Sequence, residues 1–150
     1  MDNAEDATIR AAIQQELGVA ANAIPVRLVR RLRHQMFSGD LTQFAHAVDY
    51  GIQPAGALRN QTAGSNPTVH VHHLIERRFA GVMEQRESQM LSIVLTPGEH
   101  QRFTNLWHDK IGYDGGASQI TTSSATRAHV MNAAREIYAD YPDILRALGL

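Results

Sequence analysis

Strand character in this chain is confined to two short stretches. Residues 68–75 (TVHVHHLI) are β-branched and alternating, and residues 91–96 (LSIVLT) are β-branched and apolar. Two such stretches supply one small hairpin, so the rest of the core has to come from helices. Helical periodicity is plentiful. Residues 4–17 are rich in helix formers, and Gly18 stops them. Pro25 suits the first turn of a helix over 25–37, with Val26, Val29, Leu32 and Met36 at three- and four-residue steps. Ser38 or Asp40 caps a further helix over 40–50, which Gly51 ends.

After the polar loop 59–67 (RNQTAGSNP) and the first strand, residues 76–85 read as a short helix. Thr96-Pro97-Gly98-Glu99 then combines an N-cap Thr, Pro at N1 and Glu at N3, and predicts a helix over 97–110. A Gly-rich loop over 112–122 lacks the Gly-Lys-Ser/Thr ending of a phosphate-binding loop. A long helix over 123–139 and a short one from Pro142 close the chain. The expected organisation is one unit over 1–150: a helical part at 1–58, a strand–strand–helix segment at 68–111, and C-terminal helices at 123–150.

Composition narrows the chemistry. With 150 residues, 43% apolar and 19% charged, the chain can bury a core, and it must do so without disulfides because it has no cysteine. The same absence removes thiol nucleophiles, thiolate zinc sites and the Cys motif of zinc-dependent nucleobase deaminases. A metal would have to be held by His, Asp, Glu or neutral oxygen. No apolar run approaches the roughly 18 residues of a membrane span. The acidic start (MDNAEDATIR) lacks the order of a signal peptide. No membrane insertion is therefore expected, and export would depend on a larger delivered protein.

The 14 basic and 15 acidic residues nearly cancel, yet every basic residue except Lys110 is Arg. Arg suits phosphate recognition, and its abundance equally reflects a GC-rich genome. Arg27, Arg30, Arg31 and Arg33 read as a nucleic-acid footprint or as a solvated helix face.

Five of the eight histidines (His70, His72, His73, His100 and His108) fall in the strand–strand–helix segment. Alternation along a strand points His72 and His73 to opposite faces, so two different jobs are natural. A helix crossing the hairpin would bring His100, in its first turn, toward His72. His34, His46 and His129 read as ordinary helix residues, His70 as a flanking strand residue, and Phe103 and Trp107 as core.

In order, His-His ending a strand, a strand running into Leu-Thr-Pro, and Glu-His opening a helix resemble the His-Me finger (HNH, or ββα-metal) nucleases. The closer resemblance is to toxin nuclease domains at the C-termini of bacterial polymorphic toxins. There, blocks like HHLIERRF (72–79) and SIVLTPGEHQRFTNLW (92–107) recur as one signature. The match spans residues 72–111, about a quarter of the chain.

The resemblance implies a mainly α fold with a small ββα-metal core: a two-stranded antiparallel hairpin and a crossing helix, flanked by helices. It implies a metal-dependent endonuclease acting on nucleic acid, DNA in preference to RNA, as the toxic effector domain of a bacterial competition system. His72 and His100 would be metal ligands and His73 the general base. Thr104, Asn105 or His108 would complete the shell, directly or through water, around Mg, Mn, Zn or Ni. No organic cofactor is implied. Arg77 and Arg78 would neutralise phosphate charge, or merely solvate a helix face.

The implied setting is secretion within a larger protein, action in the target cell's cytoplasm, and a cognate immunity protein. Arg27, Arg30, Arg31, Arg77 and Arg78 would anchor an acidic partner of that kind. The chain departs from the family pattern in two places. Ser92 and Leu91 stand where the middle Asn is expected, and Thr104 stands where a His is common. The competing expectation is a non-catalytic helical binding module clipped by a structural metal. The two separate on His73, which a structural site buries or uses as a ligand and a catalytic site leaves beside an open position.

Overall fold

In the computed structural model, which describes residues 41–64 and 68–150, a 3₁₀ turn (Leu41–Gln43) leads into α1 (Ala47–Tyr50). β1 (Gln53–Pro54) and α2 (Ala55–Thr62) follow, then β2 (His70–His73) and β3 (Leu91–Leu95). α3 (Pro97–Lys110), α4 (Arg127–Ile137) and α5 (Pro142–Leu148) complete the chain. The expected helices at 4–17 and 25–37, and the Arg27–Arg33 patch, lie outside the described residues. No helix among the described residues is long and apolar enough to cross a membrane.

The chain is helix-rich with one small antiparallel sheet, and the sheet has three strands rather than the expected two. Its order is β1–β3–β2, with β1 joined through Gln53 opposite Ser92 and Pro54 opposite Leu91. Pro54 sits on an outer strand, the sheet position that tolerates a missing N–H. β2 pairs with β3 from His70 opposite Leu95 to His73 opposite Ser92. β2 is thus the other outer strand, and its far edge is unpaired among the described residues.

α3 has its expected bounds. Thr96 Oγ1 accepts from the Glu99 N–H at 3.2 Å, and Glu99 Oε1 accepts from the Thr96 N–H at 2.9 Å. This reciprocal cap fixes the helix start within one residue of β3. Glu99 Oε2 also accepts from the Ala45 N–H, which explains why the expected 40–50 helix is broken. An amide given to a side chain cannot extend an i→i−4 ladder, and only α1 is α-helical there.

The expected 76–85 helix reduces to a 3₁₀ turn at Arg77–Phe79, and Glu84 takes a left-handed φ of 54° that ends any helical run. α2 occupies part of the expected 59–67 loop because Ala55 and Leu58 are fully buried, and apolar burial outweighs its polar surface. α4 starts at Arg127, later than expected, because Thr126 caps it in partnership with His129. Phe103 and Trp107 on α3 pack with Phe79, Leu74, Tyr138 and Ile144 in the core, as their helical spacing suggested. Each such side chain contributes on the order of 1.5–3 kcal/mol through burial.

Candidate active site

Among the described residues β2 has no neighbour on its outer edge, and residues from both of its faces line one cleft of about 530 Å³. The cleft is lined by Arg59 of α2, by Val71, His72 and His73 of β2, and by Glu76, Arg77 and Arg78 just after β2. His100 and Thr104 of α3 and Tyr113 beyond α3 close it.

His72 points inward and is 2% exposed. Its ring stacks on Phe103 at 5.3 Å between centroids. Its Nε2 lies 3.1 Å from the Tyr138 hydroxyl. That hydroxyl donates its only proton to the Leu74 carbonyl and sits 3.4 Å from the Trp107 indole N–H, which donates to it. The proton count therefore makes His72 Nε2 the donor toward Tyr138 and leaves Nδ1 with the lone pair. Burial, reinforced by the charges of His100 and His73, pushes the His72 pKa down to about 3. His72 is a neutral imidazole of fixed tautomer across the whole physiological range.

His73 points the other way. Its Nε2 lies 2.8 Å from Glu87 Oε1, but off the line of a ring N–H, so this buried nitrogen has no hydrogen-bond partner. Glu87 is itself held by Arg59 through both carboxylate oxygens. Burial first, then the cations Arg59 and Arg77 and the His100 ring, lower the His73 pKa to about 4. Ser92, where the resembled family carries Asn, lies directly across the sheet from His73. Its hydroxyl donates to the Met90 carbonyl at 3.1 Å instead, so the carboxylate beside His73 is Glu87.

α3 delivers His100 in its first turn. The His100 ring lies 5.3 Å from that of His72 and 5.1 Å from that of His70. Burial, followed by the His70 charge, lowers the His100 pKa. Thr104 faces the same cleft, with its hydroxyl donating to the His100 carbonyl at 3.1 Å. Asn105 does not line the cleft: it is exposed and accepts from Gln101 at 2.9 Å. His108 packs at a tilt against Tyr113, centroids 4.9 Å apart.

The two arginines after β2 divide. Arg77 is exposed at the cleft rim. Arg78 commits every donor of its guanidinium. Nε and Nη2 meet Glu76 Oε1 at 3.0 and 2.9 Å, Nη2 donates to the Ile111 carbonyl at 2.7 Å, and Nη1 donates to the Gly112 carbonyl and Thr122 hydroxyl. It also lies over the Phe79 and Tyr113 rings. These contacts latch the 112–122 loop against the turn after β2, while Arg78 also lines the cleft. Gly112 is required at that latch, because a Cβ there would stand 2.3 Å from Ser118 Oγ.

His72, His73, His100, Thr104 and Arg77 thus share one cleft, and Asn105 falls outside it. Sequence reading missed Glu87, Arg59 and Tyr138. Glu87 and Arg59 lie in polar stretches without periodicity and meet across 28 residues. Tyr138 looks like any core aromatic at a helix end. For a metal, the donor set is two neutral imidazoles, His72 and His100, with the Thr104 hydroxyl alongside. That set suits a borderline divalent ion whose other positions are taken by water or substrate. Among the described residues no three His, Asp or Glu side chains are grouped to hold an ion by themselves. No family model matches the chain, and no curated protein or solved structure shows significant similarity to it.

Proposed function

We propose that this chain is a metal-dependent endonuclease of the His-Me finger type that hydrolyses phosphodiester bonds of nucleic acid, DNA in preference to RNA. The observation that carries the reading is His73. It is an imidazole that lines the cleft with its Nε2 buried, beside a carboxylate and near the His72 and His100 rings. The competing structural-metal reading buries His73 or uses it as a ligand; its place in the lining of the cleft supports catalysis.

On this reading His73 is the general base. The negative charge of Glu87, 2.8 Å from Nε2, favours the tautomer protonated there, which leaves Nδ1 as the basic nitrogen. His73 takes one proton from a water as its oxygen bonds to phosphorus. The ester P–O bond opposite breaks, and the leaving oxygen is protonated from solvent. The Glu87 carboxylate then faces an imidazolium, and its attraction offsets the low basicity that burial imposes on His73. His72 and His100 would hold a divalent ion, which supplies charge neutralisation at the phosphate. Arg77 at the rim attracts the phosphate backbone. A toxic effector of bacterial competition, delivered within a larger protein and restrained by an immunity protein, is the setting that the resemblance favours.

The test is incubation of the purified chain with supercoiled plasmid and with RNA, in Mg, Mn, Zn or Ni, with a chelator control. Nicking that needs an added ion and disappears with the chelator supports the reading. Intact plasmid and intact RNA under every ion would reject it.

A further inference from the structure

The strand face that carries His72 also carries His70, two residues earlier, and the first turn of α3 packs against it. His70 Nδ1 and His100 Nδ1 are 3.4 Å apart. For an N–H···N hydrogen bond this is long, since such contacts centre near about 3.0 Å. Two nitrogens on one tetrahedral ion at about 2.0–2.1 Å each would stand about 3.3–3.4 Å apart. Both rings ride on fixed supports. His70 is paired through β2 to Leu95, and His100 follows the capping box that joins β3 to α3. His70 is exposed, so solvent and substrate can reach the remaining positions.

We propose that His70 and His100 chelate one divalent transition-metal ion through their two Nδ1 atoms. The inference rests on the metal-dependent reading above and assigns a ligand that the sequence resemblance does not. A borderline ion such as Zn²⁺ or Ni²⁺ suits two imidazoles, whereas Mg²⁺ favours oxygen.

The experiment titrates ZnCl₂ and NiCl₂ separately into the full chain by calorimetry, comparing the parent with His70→Ala, His72→Ala and His100→Ala. Nitrogen NMR of the imidazoles is recorded in parallel, and the plasmid assay is run on the same samples. His70 is exposed, so His70→Ala should keep the parent far-UV spectrum. It should weaken Zn²⁺ binding at least about tenfold, because even outer-shell partners of a metal ligand cost about 10–100-fold. In the parent, the Nδ1 resonances of His70 and His100 should shift together on Zn²⁺ addition. Unchanged affinity in His70→Ala, or an unmoved His70 Nδ1, overturns the proposal. If plasmid nicking then still requires an ion, the nuclease reading survives without it. Absence of any Zn²⁺ or Ni²⁺ binding to the parent also overturns it.

Discussion

Replacing His73 by Ala removes an imidazole whose buried nitrogen bonds to nothing, so folding and metal affinity should barely change. Cleavage should fall by the roughly 10²–10⁴-fold that positioned general bases contribute. Plasmid nicking and calorimetric metal titration on the same preparation check both halves. Lost metal binding in this variant, with binding spared in His72→Ala, would reverse the two assignments.

His72 makes a different prediction, about acid. Its folded pKa of about 3 lies below the ordinary 6.5, so between those values the unfolded chain binds the extra proton. Its contribution is complete above about pH 6.5 and is lost as pH falls toward 3. The full span amounts to on the order of 4–5 kcal/mol. Urea midpoints of the chelator-treated chain should therefore drop steadily from pH 7 to pH 4. His72→Gln, whose amide can still donate to Tyr138, should be less stable at pH 7 but show a flatter slope. An equally steep slope in that variant would place the acid-sensitive group elsewhere.

Among the elements, α3 was legible almost to the residue, because the Thr96–Glu99 cap, Pro97 and the apolar spacing all state one answer locally. β2 and β3 were legible for the same reason. β1 was not, since two residues carry no periodicity and pair only because β3 is already in place. α2 hid behind polar composition. Arg77 and Arg78 look alike in the sequence, and only packing separates the exposed rim residue from the one that latches the loop. Arg78→Ala would strip partners from the Ile111 and Gly112 carbonyls and leave Glu76 without its cation. It should cost about 2–3 kcal/mol in urea unfolding. Limited proteolysis should then cut within 112–122 sooner than in the parent. Arg78→Lys should not rescue it, because one ammonium cannot span five donor directions.

At the scale of the molecule, the histidines of the cleft were legible as a cluster, since a strand and a helix start brought them together by short connections. Their supports were not. The Arg59–Glu87 pair spans 28 residues and the His72–Tyr138 contact 66, and no local pattern announces either. Induced expression of the chain in a bacterium without an inhibitor should stop growth and fragment chromosomal DNA, while His73→Ala should be tolerated. DNA integrity on gels after induction is the measurement. Normal growth with the parent chain present at full length would remove the toxin setting, and RNA loss with intact DNA would change the substrate.

The hydroxyl that fixes the His72 tautomer comes from Tyr138, at the end of α4. A ribosome makes the chain from the amino end, so all three strand histidines and His100 emerge well before that hydroxyl does. Until α4 has been synthesised and has docked, His72 has nothing to set which nitrogen carries its proton, and the Leu74 carbonyl beside it lacks its donor. The imidazole cluster therefore matures only after α4 has been made. A nascent or prematurely ended chain carries the histidines without the arrangement that sets their chemistry.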